Sequence, residues 1–570
     1  METMKAKTLR PLTWCLTALI AVWPLAAQAP APQSTSAEVD ALKAQLAEQQ
    51  KQIDMLKLTL EDQKKLLERI SSAAPVAPAG ASASTPDKQD FTLPSKTLGQ
   101  VASATPIIPP SAAAPAAVPP PASSSAAQPA VSAPDESPLQ LHIGTASITP
   151  VGFMDFTSVW RSKDNGSGIG TNFAGIPYGN TYQTNLSEFR ESMQNSRFGF
   201  RVDANVLGSQ VIGYMEADFL GNNPGNVAVT SNSNTVRSRL YWVDIRKGGW
   251  EVLGGQTWSL ITPNRTGISP LPGNVFYSQD MDVNYQAGIT WGRIPELRLV
   301  YHGPGDKTAL AFAVSSPEQY AGGSAGAPTV TFPSALSSVY GNELNTGGNT
   351  LGVPNFAPDF IAKFAWDPSS RFHAEVAGLL RTVRLWNPNT NATYTAEGVG
   401  GSVNANFEIA KGFRLLTNNF WSDGGGRYIF GMVPDLIVRS NGSPSFIHTG
   451  STVDGFEWTK GNSLFYGYYG GTYIGRNVAI DTNGKPVGYG YFGSPSSQNR
   501  AIQEATIGWI QTFWRNPRYG QLSLITQYSY LTRNPWYIPN NGSPEDAHLN
   551  MIFLDLRYTL PGSAPTLGRP

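Results

Sequence analysis

Between Ser196 and Leu220 the chain reads SRFGFRVDANVLGSQVIGYMEADFL, two arms that alternate apolar and polar residues with period two about the turn Leu207-Gly208-Ser209. On the first arm Phe198, Phe200, Val202, Ala204 and Val206 share one face of a strand, and Arg197, Arg201, Asp203 and Asn205 share the other. On the second arm Val211, Met215, Ala217 and Phe219 oppose Gln210, Tyr214, Glu216 and Asp218. A hairpin with one apolar and one charged face fits two surroundings. In a soluble sandwich the charged face meets bulk water and the apolar face covers a core. In a membrane barrel the apolar face meets lipid and the charged face lines a watery lumen. The hairpin alone leaves both open.

The rest of the chain narrows the choice. Lys5, Lys7 and Arg10 precede an apolar run from Leu12 to Leu25 and the small-x-small triplet Ala27-Gln28-Ala29, the pattern of an export signal over residues 1–29. The single cysteine, Cys15, lies inside that run with the bulky Trp14 before it, so lipid attachment is not expected and the exported chain holds no thiol. Beyond the signal no stretch approaches the ~18 apolar residues of a membrane helix. The chain is nevertheless rich in glycine (57) and aromatic residues (11%) with only 14% charged, a composition that suits strands with one lipid face. A formal net charge of zero gives no reason to expect a nucleic-acid partner.

Residues 38–70 carry a heptad repeat, with Val39, Leu46, Ile53, Leu60 and Leu67 at one core position and Leu42, Gln49, Leu56, Gln63 and Ile70 at the other. Glutamines in the second position are better tolerated in a wide core than in a two-stranded zipper, so the repeat predicts a homotrimeric coiled coil. Residues 71–140 then collapse to Ala, Pro and Ser, with Pro119-Pro120-Pro121 among them, and read as a disordered, semi-extended spacer.

From 141 to 560 short turns and long polar loops alternate. The short turns are 207–209, 247–249, 303–306, 367–370, 410–412, 460–462 and 516–518, each flanked by alternating strands. The long stretches 162–194, 317–355, 424–450 and 475–500 are rich in Gly, Asn, Ser and Pro. Seven hairpins plus a first strand near Val151–Arg161 and a last near His548–Leu560 predict an all-β transmembrane barrel of about 16 antiparallel strands, both ends on the short-turn side. Alternation recurs in 402–409, in 521–530 and in the last strand, where Ile552, Leu554, Leu556, Tyr558 and Leu560 oppose Asp555, Arg557 and Thr559. Trp160, Trp242, Trp250, Trp291, Trp421 and Trp514 fall near strand ends, the positions of an interfacial girdle. Pro295 makes 284–302 either one interrupted strand or two.

A heptad segment, a Pro/Ala spacer and a barrel bearing SRFGFR, YMEADFLG, VRSRLYWVDI and LGGQTWSL resemble the DcaP-like outer-membrane porins of Gram-negative bacteria, chiefly over Gly152–Glu318. The resemblance implies a trimer of sixteen-stranded barrels with a periplasmic coiled coil, admitting small, often anionic, solutes by diffusion. The tail 561–570 departs from the pattern, because such barrels commonly end on an aromatic residue.

The inward parity collects Arg197, Arg201, Arg237 and Arg239 against Asp203, Glu216 and Asp218, with Arg298, Arg381, Arg414 and Arg557 on other strands. These are the candidate pore-lining and selectivity residues, since charges at a narrow, low-dielectric wall set which ions pass. For each arginine the alternative is structural pairing with a neighbouring carboxylate. The loop from Thr262 to Asp282 offers Arg265, Asp280 and Asp282 to a constriction if it folds inward. Other chemical signals fail. Gly322-Gly323-Ser324-Ala325-Gly326 matches a serine-nucleophile motif without its strand-to-helix turn. The run 488–493 spells a phosphate-binding glycine pattern with no helix behind it. Asp280-Met281-Asp282 begins like a calcium loop but lacks its glycine and glutamate. His142, His302, His373, His448 and His548 show no metal-ligand spacing. No enzyme activity, cofactor or metal is expected. The sequence therefore predicts a porin in the cell outer membrane, in contact with lipid and with small anionic or neutral solutes. The alternative is an envelope protein whose periplasmic coiled coil and spacer reach peptidoglycan while the barrel serves as anchor.

Overall fold

The computed structural model describes residues 138–561 apart from 180, 222–233, 272–275, 278–285, 324–328, 347–351, 431–432 and 539–546. The export signal, the heptad segment, the spacer up to 137 and the tail beyond 561 lie outside the described residues. Sixteen antiparallel strands form one closed barrel. They are β1 (Ala146–Arg161), β2 (Glu188–Ser192 and Arg197–Val206), β3 (Ser209–Asp218), β4 (Arg237–Lys247), β5 (Trp250–Trp258), β6 (Arg293–His302), β7 (Thr308–Ser315) and β8 (Asp359–Ser369). They continue as β9 (Phe372–Asn387), β10 (Ala392–Ala410), β11 (Phe413–Asp423), β12 (His448–Lys460), β13 (Ser463–Ile474), β14 (Asn499–Asn516), β15 (Gly520–Pro535) and β16 (Ala547–Thr559). Each pairs with the next, and β1 closes on β16 from Phe153↔Thr559 to Arg161↔Met551. All seven expected short turns join strands as read. The first strand starts at Ala146, earlier than expected, because its N-terminal half pairs with β2 from Ala146↔Ala204 to Phe153↔Arg197. Pro295 is the third residue of a single strand that begins at Arg293, and the described residues before it belong to a loop. Lacking an N–H, proline is tolerated there near a strand start, while its carbonyl still accepts from Ser316 N at 2.9 Å.

The period-two pattern decides which way each side chain points. Outward residues are apolar and uncovered: Ile507 is 63% exposed, Phe312 54% and Leu554 47%. Leaving one such side chain in water forgoes about 1.5–3 kcal/mol, and a belt of them around the wall is stable only against an apolar surrounding. Trp160, Trp250, Trp421 and Trp514 are outward and exposed, as a girdle requires. Trp242 and Trp291 are not. Trp242 lies between outward Tyr241 and Val243, so it points inward, where it stacks on Tyr214 at 5.3 Å. Trp291 belongs to the loop after β5 and packs on Trp258 at 3.8 Å. An outward polar patch on β11 and β12 breaks the apolar pattern: Asp454 of β12 accepts from Thr417 (2.6 Å) and Thr452 (2.7 Å), beside Asn419.

At the long-loop end the loops share a core with the barrel interior. Phe173, Ile176 and Tyr178, Leu336 and Tyr340 around the short helix α1 (Ser337–Glu343), Ile429 to Val438 in part, and Tyr489 pack with inward Leu531, Leu549 and Phe553. Two small hairpins in these loops, Leu436–Val438 with Pro444–Phe446 and Asn477–Ile480 with Pro486–Tyr489, keep their backbone groups paired.

Inside the wall, glycine makes room for rings. Tyr466 of β13 lies over Gly508 of β14, its cross-strand partner, and donates to Gln527 at 2.8 Å. Gly508→Val drives a side chain into that ring. The expected loss is about 1–3 kcal/mol of stability, read as a lower midpoint in urea unfolding of the lipid-reconstituted barrel.

Candidate functional site

The expected lumen residues fall on the inner face, and eight of them gather on the wall formed by β16, β1, β2, β3 and β4. A continuous ionic ladder runs across it. Arg237 grips Asp218 through Nε (3.0 Å) and Nη2 (2.7 Å), Arg239 joins Asp218 (2.7 Å) to Glu216 (2.6 Å), and Arg197 faces Glu216 at 4.0 Å. The ring of Phe153 then lies under two guanidiniums, Arg197 at 5.1 Å and Arg557 at 4.2 Å. Arg557 pairs with Asp155 (2.5 Å) and Asp555 (3.1 Å). Near the short turns Arg201 pairs with Asp203 at 2.6 Å.

Local structure sets this up. The register fixes Arg197 opposite Asp218 and Glu216 opposite Leu240. A break in β2 between Ser192 and Arg197 turns Asn195 and Ser196 inward onto Asp155, whose carboxylate accepts from Asn195 Nδ2 at 3.0 Å. Four guanidiniums (Arg197, Arg237, Arg239, Arg557) thus stand against four carboxylates (Asp155, Glu216, Asp218, Asp555), a wall nearly neutral in sum.

Burial separates these arginines by role. Arg298 and Arg381 point inward as expected but are covered, with 2% and 1% of their side chains exposed, so they offer nothing to a passing solute. Arg298 bonds Glu296 at 2.8 Å and donates to the Trp258 carbonyl. Arg381 holds Asp435 at 2.6 Å and donates to the carbonyls of Gly424 (2.7 Å) and Glu318. Arg298 braces β6 against the end of β5, and Arg381 ties loops to the wall. Arg161 and Arg533, which the sequence reading did not single out, do the same: Arg161 donates to the carbonyls of Gly168, Ile169 and Gly170, and Arg533 to that of Ile176. Surface remains on Arg237 (37%), Arg201 (22%), Arg414 (22%) and Arg197 (18%), with Asp203 at 28%.

The loop between β5 and β6 folds inward, as the sequence reading allowed. Its anchor points lie on strands across the interior. Lys363 of β8, fully buried, donates to the Thr262 carbonyl (2.7 Å) and Asn264 Oδ1 (3.0 Å) and pairs with Glu375 at 2.9 Å. Glu375 in turn accepts from Asn264 N (3.2 Å) and faces His373, whose other nitrogen meets Asp367 at 3.0 Å. Gly267 N donates to the second Asp367 oxygen at 2.9 Å. Arg265 makes a two-pronged pair with Glu457 of β12 (2.9 and 2.5 Å) and lies 4.8 Å over the Tyr277 ring. Farther on, Ala287 N donates to Glu504 at 2.8 Å and Thr290 bonds Asn418. Asp280 and Asp282 lie outside the described residues, as do Ser324 of the serine-like motif and the start of the calcium-like loop. The 488–493 run ends in turns with no helix behind it, and among the described residues no group of His, Cys, Asp or Glu is placed to hold a metal ion.

Outside the barrel wall the loops also lock to one another. Asp481 accepts from Ser334 N (3.0 Å) and Ser334 Oγ (2.7 Å), and the backbone N–H first, then the hydroxyl, hold its carboxyl below the ordinary range.

A sixteen-stranded closed barrel, apolar outside, ionic inside and crossed by a tethered loop, has solved counterparts. Its fold is similar to that of a known channel. Against the crystal structure of the outer membrane channel DcaP of Acinetobacter baumannii the TM-score is 0.52 at 17% identity, covering 73% of this chain and 97% of that chain. An anion-selective porin from Comamonas acidovorans aligns with a TM-score of 0.39 at 11% identity over 73% of this chain and 99% of that one. Salmonella typhi OmpF gives 0.40 at 9%, over 74% and 99%. No family model matches the chain, and no curated protein matches it. The likeness to DcaP and other porins is one of fold.

Proposed function

We propose that this chain is an outer-membrane porin, a water-filled channel through which small hydrophilic solutes diffuse, carboxylate-type anions among them. The observation that carries the reading is the sorting of the wall: apolar residues outward around the barrel, and inward a row of guanidiniums and carboxylates bordered by a loop that crosses the interior. A soluble sandwich would bury an apolar belt of this kind. The similarity in fold to an outer membrane channel supports the same reading. Anion tolerance rests on the arginines that keep exposed surface, Arg197, Arg201, Arg237 and Arg414, whose nitrogens can face a passing carboxylate while their paired acids are engaged.

The heptad residues Val39, Leu42, Leu46, Ile53, Leu56, Leu60, Leu67 and Ile70 would join three copies on the periplasmic side, with the spacer setting their distance from the barrel. The same segment would let the chain reach toward peptidoglycan. The test is conductance in planar bilayers under a salt gradient, with the full chain purified as an oligomer. Open-channel current with a reversal potential displaced toward the anion side is expected. Folded oligomers that insert and carry no current would refute the channel.

A further inference from the structure

The outer wall over β5–β10 carries a groove of about 680 Å³ whose lining is almost wholly apolar. Val252, Leu297, Leu299, Phe312, Phe360 and Leu380 form its sides. Its floor lies where the outward residues shrink to Ala362 and Gly378, which pair directly across β8 and β9. A Cβ on Gly378 would meet nothing within 4 Å. The groove is thus a dent in the apolar belt, of the size that takes a small ligand.

Toward the long-loop end the same outward row of β9 continues from Gly378 and Leu380 to Thr382, Arg384 and Trp386. Arg384 faces outward beside Thr382 and the cross-strand Thr395, with Glu397 diagonal to it on the same face. At ~3.4 Å per residue it stands roughly 14 Å beyond Leu380. Its guanidinium rests 3.3 Å over the Phe356 ring, and Nε donates to Thr395 Oγ1 at 3.2 Å. Among the described residues no carboxylate comes within 4 Å of it. The nearby acids are engaged or displaced: Glu343 accepts from Trp386 N at 2.8 Å, and Glu397 stands opposite Thr382 rather than Arg384. A planar fork held flat by an aromatic ring, with no carboxylate within 4 Å among the described residues, is suited to a phosphate.

We propose that this groove and Arg384 form a seat for one phosphate-bearing lipid of the outer leaflet, an acyl chain lying over Gly378 and Ala362 and the phosphate on Arg384. The proposal rests on the barrel lying in the outer membrane with its long loops outward. Charge complementarity and the continuity of the groove with the apolar belt select a lipid over a second copy of the chain.

The experiment is native mass spectrometry of the full-length oligomer released from detergent micelles doped with a bisphosphorylated, multiply acylated glycolipid. The comparison arms are its dephosphorylated form and inorganic phosphate. The wild type should retain lipid stoichiometrically with the protomer. Gly378→Phe, which fills the floor where a side chain has room, and Ala362→Phe should lose it. Arg384→Gln should weaken retention of the phosphorylated lipid about tenfold and leave the dephosphorylated form unchanged, with inorganic phosphate failing to compete. Equal retention by all variants overturns the proposal, as does a change in oligomer mass in Gly378→Phe, which would make the groove a contact between copies. Conductance of Gly378→Phe should match wild type, so loss of lipid with intact current separates this proposal from the channel reading.

Discussion

Replacing Lys363 with methionine should loosen the inner loop at Thr262 and Asn264 and cost about 3–5 kcal/mol of barrel stability. The Nζ of Lys363 is buried and saturated, with two donations to the loop at Thr262 and Asn264 and an ion pair to Glu375. Removing it takes the ammonium from the buried Glu375 carboxylate and leaves it His373, Asn264 N and Asn404 alone, and breaking a buried pair by deleting one partner costs more than the pair was worth. Two measurements separate the consequences. Urea unfolding should show the stability loss, and single-channel records should show noisier openings as Thr262 and Asn264 lose their hold on β8. The double variant Lys363→Met with Glu375→Leu removes both charges at once. It should recover most of the stability while the recordings stay noisy, because Thr262 and Asn264 still lack their anchor on β8. If the single variant unfolds normally and conducts quietly, Lys363 does not hold the loop.

The second large effect is on ion preference. Replacing Arg197, Arg201, Arg237 and Arg414 together with glutamine leaves Asp203, Glu216 and Asp218 without their full complement of cations on a confined wall. The reversal potential should move toward the cation side, with a change of about tenfold or more in the permeability ratio, the scale set by a focused interior field. High salt should shrink the difference by screening. Arg381→Gln provides the contrast. It lies on the inner face by parity, yet it is engaged with Asp435 and two loop carbonyls, so its loss should loosen the loops and leave selectivity where it was. Selectivity that moves equally with Arg381 would mean that the covered arginines still shape the field at the constriction.

These contrasts mark how far the sequence reaches. Turn and strand identity were readable because both are local: Leu207-Gly208-Ser209 and the six other short turns interrupt period-two arms, and counting them leads to sixteen strands. Parity is readable for the same reason, and it puts Arg197, Arg239 and Arg557 on the inner face. What local pattern cannot convey is what descends onto that face. Arg298 and Arg381 obey parity, but the end of β5 at 258 covers the first and loop segments at 318, 424 and 435 close over the second, and those contacts join residues far apart in the chain. Trp242 and Trp291 looked like girdle residues by their nearness to strand ends; strand parity turns one inward and a loop carries the other. Lys363, His373 and Glu375 share inward parity on one hairpin, a local pattern of opposite charges that marks a structural ion cluster.

The pairing of β1 with β16 has a consequence for how this molecule can be made. Phe153 meets Thr559 and Arg161 meets Met551, contacts spanning nearly the whole barrel sequence, and Arg557 reaches Asp155 across the same seam. A contact of that span cannot form until the last strand has emerged, so every earlier intermediate carries two open edges, each a template for wrong pairing. The seam is therefore the clock of assembly: until Asp155 and Arg557 find each other, a partly folded barrel must be shielded from its neighbours.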